Sequence, residues 1–382
     1  MAINLSRRMM LTGAAGASVI SLSACATKPV AVAAAFPPGV ADPFLLGPKE
    51  GVALLSRNEN PYGPAPSAIK MIEYAARKGA FYTSSEASDL LVTMIAEKNN
   101  VSPEQVVVTT GSGEVLSAIA LIYGVKGPIV APRLFWDTTA LYAVKLGMAS
   151  ITRVPLAADM SVDLAAIEAA TTPETGLVQL CNPNNPTGLV SDAATLKAAV
   201  IRMAQKTTVL VDEAYIELAD DPAGNTCVPL INQGHDVIVT RTFSKIYGMA
   251  GVRVGYSISS AETAEKIRNT AMSWAPSLST AAALGSYNDE TFLSFSKSKI
   301  IEARQMVNAT IDTLGLKRLP SQTNFVYFQS GKDANEVQKA MNAKMISVRG
   351  QYMDYAGWTR VSMGRIEDVE RFCKALPEVI GA

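Results

Sequence analysis

Lys245 sits in the stretch RTFSKIYGMAGVRVGY, just past the apolar run DVIVT and eight residues before Arg253. A lysine in a solvated loop needs no explanation. Among glycine, methionine and alanine it can also act as a nucleophile or proton carrier. Other reactive residue types must decide between the two. The chain holds one histidine, His235, in NQGHD ahead of an apolar run, where a turn role fits best. A serine–histidine triad and a histidine-built metal centre are therefore disfavoured, and no metal is expected.

Further polar clusters each follow a short apolar run. Gly111-Ser112-Gly113 comes after VVVTT and leads into an amphipathic segment, so free backbone N–H groups and a helix dipole could hold an anion such as phosphate. A plain tight turn explains those residues equally well. Asp212 closes the run VLVD, where a carboxylate needs a cation or hydrogen-bond donors to stay ionised. Helix capping is the simpler role for it. Asn185 lies between prolines in NPNNPTG, a rigid turn suited to fixing one amide. Ser244 and Arg253 could both reach an anion.

The elements that must position these residues follow from the runs themselves. Val106–Val108, Pro128–Val130, Leu177–Leu180, Val209–Val211 and Val237–Val239 read as strands. Amphipathic segments such as Val115–Tyr123 and Asp192–Gln205 lie between them. Strands alternating with helices predict an α/β fold with a mostly parallel sheet between helical layers. Ligands bind such sheets at the carboxyl ends of the strands, so these clusters should meet at one edge.

Composition narrows the function classes. Formal net charge is +0 over 382 residues, which leaves no electrostatic footprint for nucleic acid. Four cysteines (Cys25, Cys181, Cys227, Cys373) make no disulfide framework at this length, and the last three read as free thiols. At the N-terminus, Arg7 and Arg8 precede the uncharged stretch Met9–Leu22, a secretory signal pattern. SRRMML resembles a twin-arginine signal, and Leu22-Ser23-Ala24-Cys25 resembles a lipobox in which Cys25 takes lipid. Residues 1–25 are thus expected to be a signal peptide and 26–43 an Ala/Pro-rich tether. Export to the periplasm follows, with membrane attachment only through the signal or a lipid.

NENPYGP, GSGE, NPNNPTG, VDEAY, SKxxxxAGVRVGY, TNF and RVSMG occur here in an order that resembles the fold-type I pyridoxal-phosphate aminotransferases, and within them the histidinol-phosphate aminotransferase group. The likeness runs from Asn58 to Gly364. It implies a three-layer sandwich with a large, mostly parallel sheet and a smaller α/β domain. It also implies pyridoxal phosphate as cofactor, an amino acid donor, a 2-oxo acid acceptor and a homodimer. In the family's terms Lys245 matches the lysine that condenses with the cofactor aldehyde, and Asp212 the carboxylate that pairs with the pyridine nitrogen. Tyr215 and Asn185 resemble the pair bonded to the ring's phenolic oxygen. Ser112, Gly113, Thr242, Ser244 and Arg253 resemble the phosphate cup. Trp136 or Phe135 would stack on the ring, and Arg360 matches the clamp on the substrate carboxylate. Arg349 resembles a second arginine near the substrate side chain; a surface ion pair is its simpler role. Tyr62 could line the same pocket from the N-terminal arm.

Where relatives show Arg-Tyr-Pro, this chain has Phe81-Tyr82-Thr83. Tyr82 keeps the tyrosine that reaches the neighbouring subunit's cofactor phosphate, while the flanking arginine and proline are absent, which puts the substrate assignment in doubt. The expected organisation is an arm over 44–60, a cofactor domain over 61–260 and a small domain over 261–382, with one connecting helix over 261–285 and a strand in TNFVYF. Two alternatives to an aminotransferase stay open: a decarboxylase or racemase using the same cofactor, and a non-catalytic amino-acid-binding lipoprotein.

Overall fold

A computed structural model describes residues 46–271 and 274–382, and Pro48–Ala382 make up one structural unit. The signal, the tether and Cys25 lie outside the described residues.

The strands are Ala53–Leu54 (β1), Val106–Thr109 (β2), Ile129–Pro132 (β3), Ile151–Val154 (β4), Leu177–Cys181 (β5), Val209–Asp212 (β6), Val237–Thr242 (β7), Gly255–Ile258 (β8), Phe325–Gln329 (β9), Ile346–Ser347 (β10) and Trp358–Ser362 (β11). Seven of them form one sheet in the order β2-β8-β7-β6-β5-β3-β4. β8 alone runs opposite to the other six strands. Each of the five apolar runs is a strand of this sheet. β4 and β8 escape sequence reading for local reasons. β4 is a half-exposed edge with Thr152 and Arg153 in it, and β8 is a four-residue piece that opens on glycine.

Side-chain alternation along the strands explains the layers. Leu210 and Ile238 point into one apolar cluster, while Val209, Val211, Val237 and Val239 point into the other. Both faces are therefore covered, as a parallel sheet requires. Helix Ser112–Gly124 buries Val115, Leu116, Ile119 and Tyr123 against the first face. Helix Ala193–Ala204, capped by the Asp192 carboxylate, buries Leu196, Val200 and Met203 against the second. Each such aliphatic side chain contributes roughly 1.5–3 kcal/mol of burial. These helices hold the strand ends in register.

Beyond the large sheet, β9 pairs antiparallel with β11 and sets Arg360 opposite Tyr327. β1 pairs parallel with β10, so the N-terminal arm joins a C-terminal strand. Residues 261–285 do not form one helix. They contain Ala261–Thr270 and all but the last residue of Ser277–Ser286, with Pro276 directly before the second, a residue that cannot continue a helix from upstream. His235 lies in a turn: its N–H bonds Leu230 O and Gly234 has φ +85°. Cys181, Cys227 and Cys373 are free thiols.

One contact ties the arm to the loop that carries Lys245. Gly63 and Gly248 meet backbone to backbone, so a Cβ on Gly63 would lie 2.6 Å from Gly248 Cα. Asn60 adds a hydrogen bond of 2.7 Å from Nδ2 to Ile246 O.

Candidate active site

The carboxyl ends of the strands open into a cavity of about 840 Å³. Ser112 follows β2, Trp136 follows β3, Asn185 follows β5, Asp212 ends β6 and Lys245 follows β7, and all five line it. Residues more than a hundred positions apart thus converge at one sheet edge, as the alternation predicts.

Asp212 is buried and accepts a hydrogen bond from Thr240 Oγ1 at 3.1 Å. Burial raises its pKa from 3.8 to about 6, offset in part by the Thr240 hydroxyl, a backbone N–H and Lys245. Lys245 Nζ lies 5.5 Å from the centre of the Tyr215 ring. Burial, with Arg360 nearby, lowers its pKa from 10.5 to about 8, which puts the neutral amine within reach near neutral pH. The solvated-loop reading of Lys245 therefore fails, and so does simple helix capping for Asp212, which precedes no regular helix.

Tyr215 has its hydroxyl held by two amides, Asn58 Nδ2 at 2.9 Å and Asn185 Nδ2 at 3.2 Å. Burial pushes its pKa up, so the phenol stays protonated and can donate. Opposite, Gly111 starts helix Ser112–Gly124 with φ 74° and no side-chain cap. Its missing Cβ matters, because that atom would sit 2.2 Å from Arg253 Nη2. Thr242, Ser244 and Arg253 complete the cup. Thr242 Oγ1 donates to Ser244 Oγ at 3.0 Å, and Arg253 Nη1 reaches the same oxygen at 3.4 Å. Uncapped N–H groups, two hydroxyls and a guanidinium form a receptor for a phosphate.

At the other end, Arg360 donates from Nη1 to Asn185 Oδ1 and from Nη2 to Ser56 O, each at 2.7 Å. Its guanidinium lies 5.2 Å from the ring centres of both Phe325 and Tyr352. Its Nε is buried without a hydrogen-bond partner among the described residues, an orphaned donor that a bound carboxylate would satisfy. Arg349 has its backbone N–H on Arg360 O and its guanidinium 5.1 Å from the Tyr352 ring centre. Its simpler role is not realised: among the described residues no carboxylate forms an ion pair with it.

Of the two aromatics, Phe135 belongs to the core and carries Arg153 over its ring, while Trp136 is left half-buried at the cavity wall. Gly113 lines the cavity beside Ser112. Tyr62 does not reach it. Its hydroxyl accepts the Ile366 N–H at 3.2 Å and its ring meets Phe295 edge-on, which corrects the expectation that it lines the pocket of its own chain. Tyr82 is also outside, in a separate groove with Phe81 and Trp274. Sequence reasoning misses Asn58, Thr240, Arg57, Glu59 and Tyr352. Asn58 and Glu59 lie in or beside NENPYGP, yet nothing local shows that Asn58 meets a tyrosine 157 positions away. Among the described residues no group of three or more His, Cys, Asp or Glu could hold a metal.

The donor set fits pyridoxal phosphate. The uncapped helix start with Ser244 and Arg253 suits its phosphate, buried Asp212 suits a protonated ring nitrogen, and Tyr215 with Asn185 suits a phenolic oxygen. The comparisons agree. The family model for aminotransferase class I and II matches residues 50–376. The histidinol-phosphate aminotransferase of Limosilactobacillus fermentum is 32% identical over 322 residues, 83% of this chain and 88% of that protein. An aromatic amino acid aminotransferase of Cutibacterium acnes is 31% identical over 339 residues, 87% and 93% of the two chains. The crystal structure of histidinol-phosphate aminotransferase from Sinorhizobium meliloti in complex with pyridoxal-5'-phosphate superposes with a TM-score of 0.77 at 32% identity, covering 86% of this chain and 91% of that one. The chain belongs to the class I and II aminotransferases, and it is a pyridoxal-phosphate-dependent aminotransferase.

Proposed function

We propose that this aminotransferase acts on a free α-amino acid, held by Arg360, in a compartment outside the cytoplasm. The carrying observation is the buried, unsatisfied Arg360 Nε facing a cavity that already holds Lys245 and Asp212. When bound, pyridoxal phosphate supplies an aldehyde that condenses with amines and a ring that withdraws electrons from the substrate α-carbon. The residues of this chain do the rest. Arg360 orients the α-carboxylate bidentately, with its planar fork fixed by Asn185, Ser56 and two rings. Lys245 Nζ, neutral in part near its pKa of about 8, takes the α-proton and returns it, which explains why a chain with one histidine can do acid–base chemistry. Asp212 provides the counter-charge that keeps a ring nitrogen protonated. Tyr215 holds a proton on its hydroxyl and donates it to an oxygen in the cavity.

Export rests on Arg7, Arg8 and the Leu22–Cys25 segment. A twin-arginine route suits a protein that folds around its cofactor before translocation. It also separates this enzyme from cytosolic phosphorylated intermediates, which argues against histidinol phosphate as its substrate. Tyr82 is 88% exposed beside exposed Phe81 and Trp274, in keeping with a twofold dimer in which it meets the partner's site.

The test is a visible absorbance spectrum of the purified protein reconstituted with pyridoxal phosphate, titrated with single amino acids, with Lys245→Ala beside it. A coloured parent that bleaches with particular donors, and forms new amino acid only when a 2-oxo acid is added, is the expected result. Product without an acceptor would indicate decarboxylation or racemisation instead. Fractionation and intact mass, with Cys25→Ser as the control, test export and lipidation.

A further inference from the structure

A buried ion pair stands behind the two strands that build the cofactor end. Side chains alternate along β6 and β7, so Asp212, Thr240 and Thr242 share the face of Leu210 and Ile238. Glu213 and Arg241 fall on the reverse face, with Val211 and Val239. There Arg241 donates from Nη2 and Nε to Glu213 Oε2, at 2.8 and 3.1 Å. Glu213 is fully buried and Arg241 mostly so.

The pair is also locked from outside the sheet. Glu213 Oε1 accepts the Cys227 N–H at 2.7 Å, and Thr226 Oγ1 lies 3.1 and 2.9 Å from the two carboxylate oxygens. Arg241 donates from Nη1 to Asn99 Oδ1 and from Nη2 to Thr226 Oγ1, each at 2.9 Å. The end of helix Ser85–Asn99 and the residues just before helix Val228–Asn232 thus close over it. Desolvating two charges costs about as much as their attraction returns, so such a pair contributes direction more than stability. Neither side chain lines the cavity. What the pair directs is the backbone on which each is carried.

That backbone also carries the cofactor contacts. Asp212 is the last residue of β6, and the next residue, Glu213, donates its N–H to Thr240 O at 2.9 Å. On β7, Thr240 bonds the Asp212 carboxylate, Arg241 follows, and Thr242 of the cup comes next. A rigid ligand that meets Asp212 through a ring nitrogen and the cup through a phosphate needs those two points at one fixed separation. We propose that Arg241 and Glu213 are positioning residues for the cofactor, an ion pair behind the sheet that holds Asp212 at its working distance from the phosphate cup. The inference rests on the reading of Asp212 as the partner of the ring nitrogen. The cup has supports of its own, since Arg253 is tied to Ala250 O at 2.9 Å and Ser244 N–H to Thr242 Oγ1 at 3.1 Å. The pair therefore governs the ring contact and leaves the phosphate contact alone.

The test compares two ligands on the full-length cofactor-free protein by calorimetry. Pyridoxamine phosphate spans both contacts and has no aldehyde to condense with Lys245, while inorganic phosphate fills the cup alone. Arg241→Lys and Glu213→Gln should each weaken pyridoxamine phosphate roughly ten- to a hundredfold, the worth of one buried charge-assisted hydrogen bond, and change inorganic phosphate less than about twofold. In an Asp212→Ala background the same substitutions should change pyridoxamine phosphate binding less than about threefold, because residues acting through one another are not additive. Thr226→Val removes a support of the pair and keeps both charges; it should show the same pattern at roughly threefold, and it carries the test if the charged variants do not fold. Parallel loss of both ligands would reduce the pair to a structural role. An undiminished effect in the Asp212→Ala background would show that it does not act through Asp212. Either result overturns the proposal, as does unchanged pyridoxamine phosphate binding in all three variants. A parent that binds the two ligands equally tightly would remove the ring-nitrogen role of Asp212, and the proposal with it.

Discussion

The two ends of the cavity are built in opposite ways. At the cofactor end Asp212, Thr242 and Ser244 are buried on or directly after strands of one sheet, and their polar atoms are hydrogen-bonded within the site. At the mouth Arg57 and Arg349 stand exposed on loops beside two-stranded sheets, with guanidiniums that meet no carboxylate among the described residues. The inner end is suited to fixing which bonds change, and the outer end to choosing among arriving molecules. A rigid sheet suits the first task because small displacements of reacting groups are costly. Exposed arginines on loops suit the second, since each exposed ion pair contributes little and can be exchanged at small cost to stability.

That contrast can be broken by substitution. Lys245→Ala should lower kcat roughly a thousandfold or more, and a small added amine should restore part of it, because the lost group is a proton carrier. Activity within about tenfold of the parent would falsify its role. Arg360→Lys should lower kcat/KM about a hundredfold, since a point charge cannot reproduce the planar fork. An equal loss for amine donors without a carboxylate would place the effect in folding instead.

Asp212→Asn sharpens the comparison through stability. The folded pKa of Asp212, about 6, lies above its ordinary value of 3.8, so protonation is favoured in the folded state and ionisation is penalised. That penalty is absent below about pH 3.8, grows between there and about 6, and is full above. In cofactor-free protein Asp212→Asn should therefore raise stability at about pH 7.5 by about 1–3 kcal/mol, with no gain in strong acid. Denaturant melts at several pH values measure this, and a gain that persists at about pH 3 would contradict it. Lys245 has the mirror-image sign. Its folded pKa is depressed from 10.5 to about 8, so its penalty is full below about 8 and gone above about 10.5. The smallest effect belongs at the mouth: Tyr352→Leu should raise KM about two- to fivefold with kcat little changed. A comparable fall in kcat would show that the ring also orders the inner end.

Legibility in the sequence follows the same division. Asp212, Asn185 and Lys245 can be found because each follows a recognisable apolar run, and a parallel sheet sends such residues to one edge. The Asn58–Tyr215 bond, the placing of Arg57 and the Tyr352 spacer are illegible, because each depends on segments brought together from far apart in the chain. Tyr62 misleads for a related reason. Asn58 and Glu59 of NENPYGP line the site, but the Tyr62 hydroxyl is taken by the Ile366 N–H at the start of helix Ile366–Ile380. The two helices in 261–285 read as one because alanine-rich composition favours helix on both sides of Pro276.

The glycine pair that joins the arm to the lysine loop bears on how such an enzyme changes over generations. Gly63 and Gly248 leave no gap between their backbones, and Gly248 in addition needs a φ of 66°. Enlarging one cannot be compensated by shrinking the other, since neither has an atom to give up. The usual two-step route of a harmful change followed by a matching repair is closed at this joint. A side chain at either position would therefore have to be met by a shift of the backbone itself, so both glycines are expected to resist substitution.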